Sequence, residues 1–158
     1  MKQNIKSYII SILIPLAVGG LSALITSGSM DIYGRINTPA LAPPPILFPI
    51  VWTALFILMG ISSAMVYNTE SAPLPQRKSA LYTYALSLFF NFFWSIIFFN
   101  AQAYLFAFIW LLALLFLIVR TIMKYIKINP TAAYLQIPYL LWVTFAGYLN
   151  FSIWLLNR

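Results

Sequence analysis

Long uncharged intervals separated by small charged clusters set the pattern of this chain. Charged side chains occur only at Lys2, Lys6, Asp31, Arg35, Glu70, Arg77, Lys78, Arg120, Lys124, Lys127 and Arg158. The intervals 7–30, 36–69, 79–119 and 128–157 are free of charge. A helix needs about 20 largely apolar residues to cross the hydrocarbon core of a bilayer. Three intervals therefore hold one crossing each, and 79–119 holds two if Asn100-Ala101-Gln102 turns the chain. The pattern predicts helices over about 5–27, 46–67, 78–99, 103–126 and 131–156, in a single transmembrane domain covering 1–158. The expected fold class is an all-α membrane protein, a bundle of five transmembrane helices.

Proline punctuates the connections. The loop over about 28–45 holds Pro39, Pro43, Pro44 and Pro45, and Pro49 lies just inside the second helix. Proline fixes φ and removes a backbone donor, which suits a loop or a first helical turn and not a helix middle. "NTESAPLPQRK" is a second polar connection, and Pro130 opens the last crossing. Lys2 and Lys6 before an apolar run resemble a signal peptide, but the run continues to about Thr26, so it reads as a retained first span.

Composition agrees with the spans: 63% of residues are hydrophobic and 7% charged, far outside the soluble average. The +7 net charge does not point to nucleic acid, because the basic residues sit at span ends and form no stripe. With five crossings the termini face opposite sides. Lys2, Lys6, Arg77, Lys78, Lys124 and Lys127, with Arg120 close by, share the N-terminal side, and only Arg35 and Arg158 lie on the other. The positive-inside rule then places the N-terminus in the cytoplasm, with loop 1 and the C-terminus outside the cell membrane.

Several chemistries are missing from the chain. There is no histidine and no cysteine, and the only carboxylates are Asp31 and Glu70, both predicted in loops. That leaves no Ser-His-Asp arrangement, no acid–base pair and no zinc site. No mid-span ionisable residue marks a proton or ion pathway. No metal and no cofactor are expected.

The spans carry aromatic surface instead. In the last helix Trp142, Phe145, Ala146 and Leu149 fall at i, i+3, i+4 and i+7, with Asn150 beside them. Small Ala146 leaves a gap between aromatics where a flat ligand could slide. Asn91, Trp94, Ser95 and Phe98 share a face of helix 3 by the same spacing. With Trp52 these faces would wall a sparingly polar pocket of the kind that holds small molecules. The same faces serve equally as helix packing, with Asn91 and Asn150 bonding across helices. Trp110 and Trp154 read as belt or lipid-facing residues. Gly19, Gly20, Ser22, Ala23 and Thr26 allow close helix packing, and Gly19-x-x-x-Ala23 could equally be a dimer contact.

Three segments resemble the translocator-protein family, also called tryptophan-rich sensory proteins or peripheral benzodiazepine receptors. They are Pro39-x-x-x-Pro43-Pro44 leading to Pro49-Ile50-Val51-Trp52 and "LFILMGI"; Leu88, Asn91, Trp94, Phe98 and Phe99; and "PYLLWVTFAGYLN", Pro138 to Asn150. The resemblance runs from about Tyr33 to the C-terminus. It implies five helices enclosing a pocket that opens toward loop 1, porphyrins and flat drug-like molecules as ligands, and a homodimer. It also implies light-dependent protoporphyrin breakdown, resting on Trp52 and Trp142, with Tyr33, Asn91, Trp94, Ala146 and Leu149 lining the cavity. The prolines around Pro43 then act as a stiff lid over that pocket, a preorganised wall that loses little entropy when a ligand arrives.

The chain also departs from the family. Ile46 stands where bacterial relatives often have tryptophan, and Ser87 where a glutamine is often found. Tyr148 has no Lys or Arg within five residues, so the C-terminal sterol pattern fails; Val119, Tyr125 and Lys127 match it nominally in the wrong helix. Sterol binding is not predicted. The functional expectation is a membrane receptor or sensor for porphyrins and flat aromatic ligands, with photo-oxidative degradation as an added activity and transport of lipophilic compounds as the alternative.

Overall fold

The computed structural model describes residues 2–158. Six α-helices make up the fold: α1 (Lys2–Thr26), α2 (Leu47–Tyr67), α3 (Leu74–Ser95), α4 (Tyr104–Ile126), α5 (Pro130–Leu135) and α6 (Ile137–Leu156). The described residues contain no strand. Five helical segments, the last combining α5 and α6, are long and apolar enough to cross a membrane. Their outer faces present Leu24, Ile109, Phe116 and Leu141, each more than half exposed. Large aliphatic side chains in that position suit lipid and not water. The chain is an all-α, multi-pass membrane protein.

Element boundaries differ from the sequence reading in four places, each for a local reason. Helix α3 starts at Leu74 and not near 78, because Pro75 fits its first turn and the polar residues up to Lys78 extend it past the apolar stretch. Loop 1 begins with a 3-10 segment, Ser27–Gly34, that prolongs α1. The end of α3 widens into a π-turn over Ile96–Asn100 before the chain reverses at Asn100-Ala101-Gln102, where Gln102 adopts φ 53°. The fifth crossing breaks at Gln136, because Pro138 has no N–H to offer the Tyr134 carbonyl. Side chains secure the break: Gln136 Nε2 donates to Ser62 Oγ at 3.1 Å, and Ser62 Oγ donates to the Ala132 carbonyl at 2.7 Å. All three residues are buried.

The two halves of the bundle differ in density. Met59, Val66, Leu114, Ile118, Tyr125 and Tyr139 form a solid core in the half nearer the N-terminus and loops 2 and 4. There α1 and α2 approach to backbone contact. A Cβ on Gly60 would lie 2.6 Å from the Ser11 carbonyl oxygen and would strike Ile12 Cα. Pro15, inside α1, withholds the N–H that the Ser11 carbonyl would otherwise accept. Glycine on α2 thus lets the partner helix reach a carbonyl freed by proline on α1. A little further along, Gly19 faces the ring of Phe56 directly. Beyond that point Gly20 has nothing within 4 Å of where its Cβ would lie, and the helices part.

Loop 1 is tied to the far end of the chain. The Asn37 amide N–H donates to Asn157 Oδ1 at 2.9 Å, and Asn157 Nδ2 donates back to the Asn37 carbonyl at 2.8 Å. Trp154 lies beneath Arg158, 5.6 Å from ring centroid to guanidinium, as an interfacial tryptophan would. Trp110 departs from the expected lipid-facing role. Its Nε1–H donates to the Phe90 carbonyl at 2.7 Å, and its ring stacks on Phe90 at 4.3 Å, so it fastens α4 to α3.

Candidate functional site

Between α1 and α2, beneath loop 1, the bundle holds a cavity of about 610 Å³ that is open at the side, where the lining residues Gly20, Ala23, Pro49 and Thr53 are exposed. That volume falls in the range of drug-sized ligand sites, about 300–1,000 Å³. Four helices contribute walls. The α1 wall is made of small residues, Gly19, Gly20, Ser22, Ala23 and Thr26. From α2 come Phe48, Pro49, Trp52 and Phe56, from α3 Asn91, Trp94 and Ser95, and from the π-turn after it Phe98. Trp142, Ala146, Leu149, Asn150 and Ile153 line it from α6, and Met30, Tyr33, Pro45 and Ile46 cover it from loop 1. No charged side chain is among these residues.

Eight of the residues singled out from the sequence meet here: Tyr33, Trp52, Asn91, Trp94, Trp142, Ala146, Leu149 and Asn150. Pro43 and Phe145 do not line the cavity. The inward face of α6 runs 142, 146, 149, 150, 153, so Phe145 is rotated off its edge and packs on Trp142 at 5.7 Å. Pro43 lies in the loop outside the cavity, where its carbonyl accepts from the Tyr33 hydroxyl at 3.5 Å.

Polar groups on the walls are largely committed to one another. Trp94 Nε1–H donates to Asn150 Oδ1 at 3.0 Å, and Asn150 Nδ2 donates to the Tyr104 carbonyl at 2.8 Å. Asn91 Nδ2 donates to the fully buried Tyr139 hydroxyl at 2.9 Å. The Thr26 hydroxyl is spent on the Ser22 carbonyl at 2.9 Å. The two asparagines therefore do both things foreseen for them: they bond across helices and they face the cavity. One donor stands apart. Trp142 Nε1 is buried and has no protein partner. A buried indole N–H without an acceptor is unusual, and here it belongs to a side chain that lines the cavity.

An aromatic chain couples lid to wall. Tyr33 meets Phe48 edge-on at 5.3 Å, and Phe48 meets Trp142 edge-on at 6.0 Å. Trp52 stacks on Phe56 at 5.5 Å and meets Tyr139 edge-on at 6.2 Å. Phe48, Phe56 and Tyr139 escaped the sequence reading because their neighbours Trp52 and Trp142 dominated the pattern. Small residues on α1 were noticed, but as packing surface; Gly19 does pack, while Gly20 and Ala23 leave room.

The Asn37–Asn157 pair makes the lid's anchoring testable. Asn157→Ala removes two of the three hydrogen bonds between Asn37 and the end of α6, leaving only the long one from Asn37 Nδ2 to the Leu156 carbonyl at 3.4 Å. Each hydrogen bond contributes roughly 0.5–1.5 kcal/mol, so amide exchange at Asn37 is expected to speed up about tenfold. Hydrogen–deuterium exchange with fragment analysis checks this, and α2 amides serve as the unchanged internal reference.

The TspO/MBR family model matches residues 11–155. The chain is 35% identical over 158 residues to the tryptophan-rich protein TspO of Chlorobaculum tepidum, covering 99% of each chain. It is 36% identical over 156 residues to the tryptophan-rich protein TspO of Archaeoglobus fulgidus, covering 98% of this chain and 99% of that one. The translocator protein of Bos taurus is 31% identical over 147 residues, 92% of this chain and 87% of its own. With five apolar crossings and a family match over nearly its whole length, this chain belongs to the TspO/MBR family.

Proposed function

We propose that this protein is a membrane receptor that binds porphyrins and other flat aromatic molecules in the cavity beneath loop 1. The observation that carries this reading is the uncharged cavity itself, walled by Trp52, Trp94 and Trp142 from three helices, with the Trp142 N–H unpartnered. A planar guest burying several hundred Å² of apolar surface there gains on the order of 5–10 kcal/mol before association costs. Ring-on-ring contact adds direction to that burial. The indole N–H of Trp142, covered in the empty cavity, supplies one directional contact to a carbonyl or carboxylate oxygen at the rim of a macrocycle once the ring turns toward the guest.

The same reading places the N-terminus in the cytoplasm, with loop 1 and the C-terminus outside, by the distribution of Lys and Arg. It includes a homodimer as the assembled form. It does not include sterol.

Titrating the purified protein with protoporphyrin and following fluorescence tests the binding. Trp52→Phe and Trp142→Phe each keep an aromatic ring but shrink it, and Trp142→Phe also removes the N–H. Each substitution is expected to weaken affinity by roughly threefold to tenfold, the equivalent of about 0.6–1.4 kcal/mol. Unchanged affinity in both variants would overturn the assignment.

A second reading, light- and oxygen-dependent porphyrin breakdown, is favoured by two oxidisable indoles, Trp52 and Trp142, facing one cavity. Porphyrin absorbance is then lost faster with folded protein than with denatured protein under light, and equal rates mean photobleaching alone. Transport is separated from binding by flux into proteoliposomes.

A further inference from the structure

A second cleft, of about 990 Å³, lies at the other end of the bundle, between α1, the end of α2 and the start of α3. We propose that it binds an anionic glycerophospholipid drawn from the leaflet on the N-terminal side. The proposal is independent of what occupies the aromatic cavity.

Charge in this cleft is confined to its mouth, and apolar side chains predominate further in. At its mouth stand Lys6, Glu70 and Arg77. Further in, Ser11, Ser63 and Tyr84 alternate along the helices with Ile10, Ile14, Leu81, Ala85 and Leu88, which form the inner walls. A soluble anion would match the mouth and leave the apolar depth uncovered. An acyl chain would cover it. Ile10, Ile14 and Ala85 are exposed within membrane-crossing segments, so the cleft's side is open to hydrocarbon and a lipid can enter from the leaflet.

Two features mark the mouth and middle as built for a ligand. Arg77 is held in place by its own connection: Nε donates to the Ala72 carbonyl at 3.2 Å, and an Nη donates to the Tyr67 carbonyl at 2.6 Å. Guanidinium carries five N–H donors, so a fixed fork with unspent donors faces the mouth, suited to phosphate oxygens. Deeper, Tyr84 is 6% exposed and its hydroxyl has no hydrogen-bond partner. Its neighbour Tyr125 has solved the same problem by pairing its hydroxyl with Ser63 Oγ at 2.9 Å. Tyr84 lines the cleft with this hydroxyl tucked beside Ser63, and a glycerol-ester carbonyl seated there supplies the missing acceptor once the side chain turns toward it. Two cations against one carboxylate at the mouth select a net-negative headgroup.

Native mass spectrometry of the full-length protein in detergent, with phosphatidylglycerol or phosphatidylcholine added, tests the assignment together with lipid-dependent thermal shifts. One phosphatidylglycerol is expected to be retained in preference to phosphatidylcholine. Lys6→Glu is expected to weaken that retention about tenfold. Tyr84→Phe should melt like the wild type without lipid but lose part of the stabilisation that phosphatidylglycerol confers, a difference no purely structural role produces. Ala85→Trp, which fills the inner wall from an exposed position, should abolish retention, and binding of flat ligands in the aromatic cavity should stay unchanged in Tyr84→Phe. The proposal is overturned by equal retention in all variants, by equal affinity for the two lipids, or by displacement with glycerol phosphate at matched concentration. Disulfide formation between two Ala85→Cys copies across the cleft would overturn it as well, since a second chain would then be the occupant.

Discussion

Ala146→Phe is expected to reduce protoporphyrin affinity at least a hundredfold, about 2.8 kcal/mol, while the protein stays folded. Ala146 is the smallest side chain on the inward face of α6, between Trp142 and Leu149. A ring placed there projects into existing empty volume, so it displaces ligand without forcing core side chains apart. The melting temperature should hold or rise, because filling a cavity adds contacts. Phe145→Ala is the paired control. Phe145 is next in sequence but off the cavity face, so its truncation should change affinity less than about threefold. Fluorescence titration of both variants gives the comparison, and wild-type affinity in Ala146→Phe would sink the assignment of the cavity as the ligand site.

Gly60→Ala is expected to destabilise the bundle by about 1–3 kcal/mol, and Gly20→Ala to be neutral or stabilising. Alanine ordinarily favours a helix over glycine by about 1 kcal/mol, so both changes should help if propensity alone decided. Position decides instead. The added methyl at Gly60 meets α1 backbone at Ser11 and Ile12, which cannot move aside as a flexible side chain could. At Gly20 it meets open space. Thermal unfolding of the two variants in the same detergent separates the effects, and similar melting temperatures would refute the close α1–α2 contact. Because that contact sets the spacing of two helices that both line the cavity, Gly60→Ala should also weaken ligand binding, whereas Gly20→Ala should retain most of it.

Pro138 shows how far local reading reached. Its missing N–H was visible in the sequence, yet whether the helix bends, breaks or carries on depends on what meets the freed carbonyls. Here Ser62, from α2, donates to the Ala132 carbonyl and is itself held by the Gln136 side chain, which makes a clean break possible. The start of α3 was misplaced for a related reason: hydropathy marks where a helix enters lipid, and a helix can begin in water before it. Trp110 could not be told from an interfacial tryptophan, because its acceptor, the Phe90 carbonyl, is on another helix.

The number of crossings, their approximate limits and the aromatic character of three of them follow from chain composition within windows of about 20 residues, since bilayer thickness imposes that length on any apolar helix. Those properties are local, and no fold is needed to read them. Which way each helix is rotated, that Phe145 turns aside while Ala146 faces inward, that Gly20 borders a void while Gly60 touches backbone, and that Asn37 meets Asn157 are properties of contacts between distant segments. Hydropathy cannot report them in a membrane helix, because lipid-facing and interior-facing sides are both apolar and the usual amphipathic signal of burial is lost.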